Sequence, residues 1–445
     1  MLSAAPPDSE LVFFDVPPSL IAAPIPDPTA ELLAVAGYPD FDDRLTLIGV
    51  WQQPDPLLFG DGPYPTIIIL HGSGGLWSND HIANGTSNQF DDWLEVLPAR
   101  GYAVMCIDSF NPRGIPGNFA GRYPTLNPTF DDALCSPNYE RPKDVIAGLT
   151  YLASLPQVDK DHIGLLGFSH GSQTGLNAIL DPSIDLSPYT VSYDDEDELL
   201  EVDSPVRIPD ELPFPKVCAF YYPGGSHFGY HGQASSIAAG RYMPDRRTHV
   251  LMFHGTEDSL LGVNDPNANP LTGNLFPIKL VESSALQAVA EGTENPFVAH
   301  LIFDLAEHSF DGETIQPPEN WNDINLETVD EKAKRLARDE VFKWFDFLLK
   351  PSDLTIQEDG NDPDQLELVW EGRNQLSYQL MESELLVDWD PRGDAVVGTD
   401  AEITTAVIPI PMGKQFFTLE YIPVPAPVDD PDNAGFFRDY SEFSY

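Results

Sequence analysis

Apolar runs and amphipathic segments alternate along residues 45–350 of the chain. A short apolar run without polar alternation is typical of a parallel strand that is covered on both faces. Such runs, together with one alternating segment, predict strands at 44–51, 65–70, 102–107, 163–166, 217–222, 249–254 and 298–305. Apolar positions at helical spacing predict helices at 89–99, 141–155, 172–180, 278–291 and 326–349. This order predicts an α/β fold with an open, mostly parallel sheet and helices on both faces.

The pattern changes beyond Pro351. Short apolar segments, separated by Gly, Asn, Asp and Pro and without a helical period, predict strands at 366–370, 376–380, 403–410 and 415–421. Their spacing predicts a small all-β module, similar to a sandwich, at 351–425. Residues 1–44 are proline-rich and acidic and predict an extended arm laid over the main domain at 45–350, and residues 426–445 form an acidic, aromatic tail.

The chain is strongly acidic. Its 23 Lys and Arg residues against 71 Asp and Glu residues give a formal net charge of −48. Such a field repels nucleic acid and anionic membranes, which argues against partners of those kinds. It favours solubility and suits salty or acidic surroundings.

The cysteines and the first residues of the chain bear on where in or outside the cell the protein is expected to act. Cys106 and Cys218 lie in apolar runs, which predicts buried strand positions. Cys135 lies in loop-like sequence, and an odd, small count leaves its pairing open. No run approaches the roughly 18 apolar residues of a membrane helix. The first residues lack a basic and apolar leader, so the protein is expected to be cytoplasmic or to have lost a signal peptide.

The segment Gly167-Phe-Ser-His-Gly171 has the Gly-x-Ser-x-Gly pattern of a nucleophile elbow. In an elbow a strand turns so sharply into a helix that the serine is exposed at the tip, which requires small neighbours. The alternative is a chance match in a loop. A predicted strand before Ser169 and a predicted helix after it favour the elbow.

A serine hydroxyl becomes a useful nucleophile when a histidine takes its proton and an acid orients that histidine. Two strand ends downstream of Ser169 supply these groups in the order acid, then histidine: Asp258 follows Gly255 in a tight turn, and His308 follows the last strand. Since the carboxyl ends of parallel strands share one edge of a sheet, Ser169, Asp258 and His308 are expected to converge.

Each of these residues has alternatives. Asp258 could be an ordinary turn acid, and its rival is Glu257, whose side chain should point elsewhere; Asp304, inside a strand, is less suitable. His308 alone could be a surface histidine. The other histidines do not combine this chain order with a loop position after a strand: His71, His81, His162, His170, His227, His231, His249, His254 and His300.

A serine nucleophile also needs an oxyanion hole, two backbone N–H donors directed at the tetrahedral oxygen. One donor is expected from His170, directly after the nucleophile, and the other from Ser73 in the glycine-rich loop at 72–75. The alternative for that loop, a phosphate site, lacks both the Walker lysine and the Gly-x-Gly-x-x-Gly spacing.

Several motifs together resemble the dienelactone hydrolase-like branch of the α/β-hydrolase superfamily: His71-Gly-Ser-Gly-Gly75, Asp108-Ser-Phe-Asn-Pro-Arg-Gly114, Gly167-Phe-Ser-His-Gly171, Tyr221-Tyr-Pro-Gly224, Gly255-Thr-Glu-Asp258 and Glu307-His-Ser-Phe310. The resemblance covers about 45–350 and implies an α/β-hydrolase fold and a Ser-Asp-His hydrolase of esters or lactones that needs no cofactor and no metal. Enzymes that open dienelactones use a cysteine nucleophile. Because Ser169 stands at that position, the resemblance favours a carboxylesterase.

The expected substrate class and cellular location also come from a resemblance to known proteins. The C-terminal module is similar to β-sandwich appendages on secreted bacterial hydrolases, which favours an extracellular or periplasmic enzyme acting on a small-molecule or polymeric ester. An oligopeptidase or amidase with the same triad is the first alternative, although a propeller-sized partner domain is lacking. The second is a catalytically silent binding protein, against which the complete Ser-Asp-His set argues. Substrate choice is expected to depend on loops 108–140, 181–215 and 223–245.

Overall fold

The computed structural model describes the chain in segments. These are residues 9–20, 28, 30–39, 44–115, 135–137, 140–179, 189–192, 199–202, 206–223, 248–258, 298–312 and 328–350, followed by short strands up to residue 439. The chain divides into two compact units, Met1–Ala337 with Gly435–Tyr445, and Arg338–Ala434. The predicted helix at 278–291 lies outside the described residues.

The strands are β1 (Ser9–Asp15), β2 (Thr46–Gln52), β3 (Tyr64–Leu70), β4 (Ala103–Asp108), β5 (Val158–Phe168), β6 (Tyr189–Ser192), β7 (Leu199–Val202), β8 (Val217–Tyr221), β9 (His249–Gly255), β10 (Val298–Phe303), β11 (Thr355–Glu358), β12 (Gln365–Trp370), β13 (Ser377–Ser383), β14 (Asp390–Pro391), β15 (Val396–Val397), β16 (Thr404–Pro409), β17 (Phe416–Ile422) and β18 (Phe437–Asp439). The helices are α1 (Ala30–Leu33), α2 (Pro56–Phe59), α3 (Asn88–Val96), α4 (Arg141–Ser154), α5 (His170–Ala178) and α6 (Val329–Leu349).

The first unit is built on a sheet whose described strands follow the order β1-β2-β4-β3-β5-β8-β9-β10-β18. The strands from β4 to β10 in this order run parallel to one another. β2 is antiparallel to both of its neighbours, and β18 is antiparallel to β10 at the other edge. The prediction of a mostly parallel sheet is confirmed. The two edge strands β1 and β18, however, come from segments that the sequence pattern assigned to an arm and a tail.

Helices cover both faces of this sheet. On one face α4 and α5 pack closely: a Cβ added to Gly148 would lie 2.8 Å from Ile107, and one added to Gly175 would lie 2.3 Å from Phe220. On the other face the α3 side chains Phe90 and Trp93 contact the ring of Phe168. Because successive side chains of a strand point to opposite faces, apolar residues at every position of the central strands serve both layers.

All three cysteines are buried. Cys106 and Cys218 are buried strand residues, as predicted, and Cys135 is a buried thiol. Within the described part of the chain, none of the helices is long and apolar enough to cross a lipid bilayer.

The second unit has antiparallel strands. One sheet has the order β11-β12-β16, and in another β13 pairs with β14, β15 and β17. The all-β character expected beyond Pro351 therefore holds for the described strands. The division between the two units lies between Ala337 and Arg338, inside α6.

Candidate active site

Ser169 lies at a strained turn between β5 and α5. Its backbone has φ 49° and ψ −111°, a combination that costs a residue with a side chain on the order of 1–3 kcal/mol. The turn packs tightly: a Cβ at Gly171 would lie 2.1 Å from the Leu70 carbonyl oxygen, and one at Gly167 would lie 2.8 Å from Ser172 Cα. The two glycines of the Gly-x-Ser-x-Gly pattern are therefore steric requirements of this turn.

His308 bridges Ser169 and Asp258. Its Nε2 lies 3.1 Å from Ser169 Oγ, and its Nδ1 lies 2.7 Å from Asp258 Oδ2. A carboxylate only accepts hydrogen bonds, so Nδ1 carries the proton, and in the neutral imidazole Nε2 accepts from the serine hydroxyl. The Asp258 side chain is fully buried and that of His308 is 12% exposed. The structure thus brings together the three residues that the sequence singled out.

Two other acids considered from the sequence, Glu257 and Asp304, take different positions. Glu257 is exposed, whereas Asp258 is buried against His308. Asp304 follows the end of β10, on the strand side of the loop that carries His308. Among the alternatives weighed from the sequence, Asp258 is therefore the carboxylate that contacts the imidazole.

The loop that carries His308 is bonded to the turn that carries Asp258. Glu257 N–H donates to the Ala306 carbonyl at 3.0 Å, and Leu305 N–H donates to Thr256 Oγ1 at 2.8 Å. A Cβ at Gly255 would lie 2.1 Å from the Ala306 oxygen, so the turn can approach the loop only with glycine there. The separation of acid and histidine is thereby fixed by backbone contacts.

A second buried cluster adjoins His308 and was not expected from the sequence. The Tyr222 hydroxyl donates to Asp311 Oδ1, and Gln89 Nε2 donates to Asp311 Oδ2 at 2.5 Å. Burial raises the pKa of Asp311, although both hydrogen bonds act in the opposite direction. Tyr222 belongs to the motif Tyr221-Tyr-Pro-Gly224, and Asp311 directly follows the motif Glu307-His-Ser-Phe310, but the bond between them joins residues far apart in the chain.

The glycine-rich loop after β3 lies beside the elbow. A Cβ at Gly72 would lie 3.2 Å from the Phe168 oxygen and 3.5 Å from Ser169 Cβ. Ser109 N–H donates to His71 Nε2 at 3.1 Å, so His71 Nδ1 carries the proton and donates to the Gly72 oxygen at 2.7 Å. In a trans peptide the C=O and the following N–H point in opposite directions, so this bond orients the N–H of Ser73.

Electrostatics keep two buried histidines neutral. Burial, followed by the charge of Arg141, lowers the pKa of His71 well below its ordinary value, with the hydrogen bond to Gly72 acting in the opposite direction. Burial and the charge of Arg141 also lower the pKa of His170. Neutral rings serve as fixed hydrogen-bonding groups and place no extra charge behind the elbow.

Asp108 organises the loops on this side. Its Oδ1 accepts from the backbone N–H groups of Phe110 and Asn111, and its Oδ2 accepts from Trp77 Nε1 at 2.6 Å and from Asn111 Nδ2 at 2.9 Å. The carboxylate is fully buried, which raises its pKa. It ties the loop after β4 to the segment that follows the glycine-rich loop.

Metal ligation has no candidate in the described part of the chain. Among those residues no group of three or more His, Cys, Asp or Glu side chains is arranged to hold a metal ion.

The strand order and the place of the elbow define the fold. An antiparallel β2 precedes a parallel series in the order β4-β3-β5-β8-β9-β10, and the strained serine follows the central strand β5. The chain has the α/β-hydrolase fold. In this α/β-hydrolase sheet the acid follows β9 and the histidine follows β10, so the three side chains meet at the carboxyl edge.

Comparisons with known proteins add structural likeness at low identity. No protein-family model matches the chain, and no curated protein matches it. Similar solved structures include a dienelactone hydrolase-like promiscuous phosphotriesterase from metagenomic libraries (12% identity, 76% of this chain and 98% of that chain, TM-score 0.37). They also include an esterase from Thermogutta terrifontis (15% identity, 73% of this chain and 96% of that chain, TM-score 0.37). A third is an acylaminoacyl peptidase from Pyrococcus horikoshii (14% identity, 80% of this chain and 44% of that chain, TM-score 0.39). The functional conclusion therefore rests on the geometry of the site.

Proposed function

We propose that this protein is a serine hydrolase that cleaves carboxylic esters or lactones through an acyl-enzyme intermediate. The observation that carries the proposal is the position of His308, within hydrogen-bonding distance of both the Ser169 hydroxyl and the Asp258 carboxylate. Nucleophile, base and orienting acid stand in the relation that acyl transfer requires.

In the first step Ser169 Oγ attacks the ester carbonyl carbon while His308 Nε2 takes the hydroxyl proton. The imidazolium that forms is stabilised by Asp258, which stays ionised and holds Nδ1–H at 2.7 Å. The tetrahedral intermediate then collapses. The C–O bond to the leaving alcohol breaks, and the alcohol oxygen takes the proton from His308 Nε2.

In the second step water replaces the alcohol. His308 Nε2 accepts a proton from the water as its oxygen attacks the acyl carbon bound to Ser169 Oγ. Collapse of the second tetrahedral intermediate breaks the bond to Oγ, which regains its proton from His308. The carboxylic acid product leaves as the anion at neutral pH, and the enzyme returns to its starting state.

The oxyanion is assigned to the backbone N–H groups of Ser73 and His170. His170 is the first residue of α5, so its N–H has no acceptor within the helix. The hydrogen bond from His71 to Gly72 supports the assignment of Ser73, because it fixes the peptide that carries the Ser73 N–H. Donors held in place before the reaction lower the barrier because no reorganisation is needed as charge develops.

Labelling and turnover test the proposal together. A fluorophosphonate should label the peptide that contains Ser169, and p-nitrophenyl acetate or butyrate should be hydrolysed. Ser169→Ala should abolish both, whereas Ser154→Ala, which changes an exposed hydroxyl on α4, should leave both unchanged. Residual turnover of Ser169→Ala within tenfold of wild type would overturn the assignment of the nucleophile.

The same assay separates esters from amides. Preferential turnover of an aminoacyl p-nitroanilide over the esters would make the protein an oligopeptidase or amidase. A folded protein with neither labelling nor turnover would be a binding protein on the hydrolase fold.

A further inference from the structure

A buried guanidinium, that of Arg141, lies directly behind the elbow. Arg141 is the first residue of α4 and is fully buried. Its Nη1–H donates to His170 Nδ1 at 2.6 Å, and its Nη2–H donates to the His71 carbonyl oxygen at 2.8 Å. One side chain thus binds both segments from which the proposed oxyanion donors come.

The Phe110 ring packs against this cluster. Its centroid lies 4.5 Å from that of His71 and 6.0 Å from that of His170, in edge-on contacts. The Arg141 Cζ atom lies 5.3 Å from the same centroid. The aromatic ring and the two imidazoles are themselves buried, so the cation is shielded from solvent and its electrostatic interactions are stronger than in water.

The charge of Arg141 is not neutralised by the groups that it binds. A ring nitrogen and a backbone carbonyl are both neutral acceptors, and Arg141 Nε is buried without a hydrogen-bond partner among the described residues. Asp144 on the same helix binds Arg113 instead, with two contacts of 2.7 and 2.8 Å. Burial lowers the pKa of Arg141 to about 10, with Asp144 acting in the opposite direction, so the guanidinium stays charged at neutral pH.

We propose that Arg141 is a positioning residue of the oxyanion hole, which joins the loop of Ser73 to the elbow and supplies positive charge behind both donors. This inference rests on the proposed hydrolase function. Its consequence follows from charge: the substrate carbonyl is neutral, whereas the tetrahedral intermediate carries an oxyanion. A fixed, buried cation therefore favours the intermediate over the bound substrate, and acts on kcat more than on KM.

Two substitutions at Arg141 and one control test this role. Arg141→Met removes the charge and both hydrogen bonds, and Arg141→Lys keeps the charge but loses the two-pronged geometry. Lys143→Met on the same helix is the control, because Lys143 is also a buried cation and binds Glu140 at 2.7 Å. Fluorophosphonate titration counts the active sites in each preparation, so that kcat refers to folded, competent enzyme.

Arg141→Met should lower kcat per active site by about 10- to 100-fold, a smaller loss than removal of a direct donor, with KM within about threefold of wild type. Inhibition by a trifluoromethyl ketone, which forms a tetrahedral oxyanion adduct with a serine, should weaken by the same factor as kcat/KM. Arg141→Lys should recover part of both losses. Lys143→Met should lose thermal stability and keep kcat per active site.

An unchanged kcat per active site in Arg141→Met, with fewer active sites or a lower Tm, would make Arg141 a structural residue and overturn the inference. If Arg141→Met does not fold, Arg141→Lys decides: parallel changes in kcat/KM and ketone affinity support the role, and wild-type values of both refute it. Absence of labelling and turnover in the wild-type protein would instead refute the proposed function itself.

Discussion

The ring of Tyr222 packs against the ring of His308, with centroids 4.5 Å apart and planes inclined at 55°. The hydroxyl of the same tyrosine donates to Asp311, which also accepts from Gln89. The imidazole is therefore held by Asp258 through a hydrogen bond and by Tyr222 through ring contact. The position of the proposed base depends on a buried carboxylate that lies outside the Ser-His-Asp set.

That carboxylate predicts a pH dependence of stability. Because burial raises the pKa of folded Asp311 above its unfolded value, its contribution to stability is fully present below the ordinary Asp pKa of about 3.9 and is lost as pH rises through the folded pKa. The groups that face it are Tyr222, Gln89 and the charge of Lys334. In Asp311→Asn the amide can accept from Gln89 and donate to the Tyr222 oxygen, without a charge to bury.

The unfolding free energy of Asp311→Asn, relative to wild type, should therefore increase as pH rises from about 4 towards neutrality. Urea unfolding at a series of pH values measures the difference, and other titrating groups cancel in it. If the unfolding free energies of the two proteins changed with pH in parallel, the pKa of Asp311 would be the same in the folded and unfolded states, and the prediction would be wrong. Ester turnover of Asp311→Asn should stay within about threefold of wild type, because the hydrogen bonds that hold the loop are kept.

Asp258→Asn and Glu257→Gln form a matched pair that tests the choice of acid. An amide at position 258 can stabilise the wrong tautomer of His308, and it carries no charge to stabilise the imidazolium. We therefore expect kcat to fall by roughly 10³-fold or more. Glu257 is exposed, and its amide variant should behave as wild type. Steady-state kinetics on a p-nitrophenyl ester measure both. A larger loss in Glu257→Gln than in Asp258→Asn would reverse the assignment.

Gly171→Ala and Gly74→Ala test the steric basis of the elbow. A methyl group at 171 would lie 2.1 Å from a backbone oxygen, whereas one at 74 meets nothing within 4 Å. Gly171→Ala should lose about 3 kcal/mol or more, and Gly74→Ala should stay within about 0.5 kcal/mol of wild type. Equilibrium denaturation of both variants gives these values. Equal stabilities would mean that the turn at Ser169 is looser than its packing indicates.

The net charge of −48 predicts that salt stabilises the protein. Repulsion among exposed carboxylates weakens as the screening length shortens from about 10 Å at 0.1 M to about 3 Å at 1 M salt. The Tm should therefore rise between low salt and molar sodium chloride, and an equal concentration of potassium chloride should have the same effect. A flat or falling curve would indicate that the acidic residues are dispersed or compensated.

The central strands and the Ser-His-Asp set could be predicted because their determinants are local. A run such as Pro65–Leu70 is apolar at almost every position and rich in β-branched residues, which is typical of a strand covered on both faces. The elbow needs glycines at fixed offsets from Ser169, and strand order alone places Asp258 and His308 at the same sheet edge. These features require no knowledge of distant contacts.

Other features depend on contacts between distant segments. Arg141 opens a helix, where an arginine is ordinarily exposed, and its sequence neighbours do not indicate that it is buried behind the elbow. Tyr222 and Asp311 are 89 residues apart, and neither has a local pattern that predicts their bond. The two oxyanion donors stay predictions, supported by the contacts of His71 and Arg141.

The edge strands β1 and β18 also depend on contacts with distant segments. Their segments are rich in proline, acidic residues or both, and the partner strand supplies the hydrogen bonds that make them strands. β18 pairs with β10, from Leu301↔Asp439 to Phe303↔Phe437, and β10 leads into the loop that carries His308. The tail segment thus pairs with the strand that leads into the loop of the proposed base.

Removal of residues 435–445 should therefore lower both stability and turnover, although no residue of the Ser-His-Asp set is lost. An unpaired β10 edge offers free backbone groups, so the shortened protein should also associate at micromolar concentration. Each kcal/mol of lost stability lowers the Tm of a large domain by about 2–4 °C. The control ends at Asp439 and keeps β18, and it should match the full chain in Tm, turnover and light scattering. If the chain that ends at Ala434 also matches the full chain in Tm, turnover and light scattering, the pairing of β18 with β10 contributes nothing to the site.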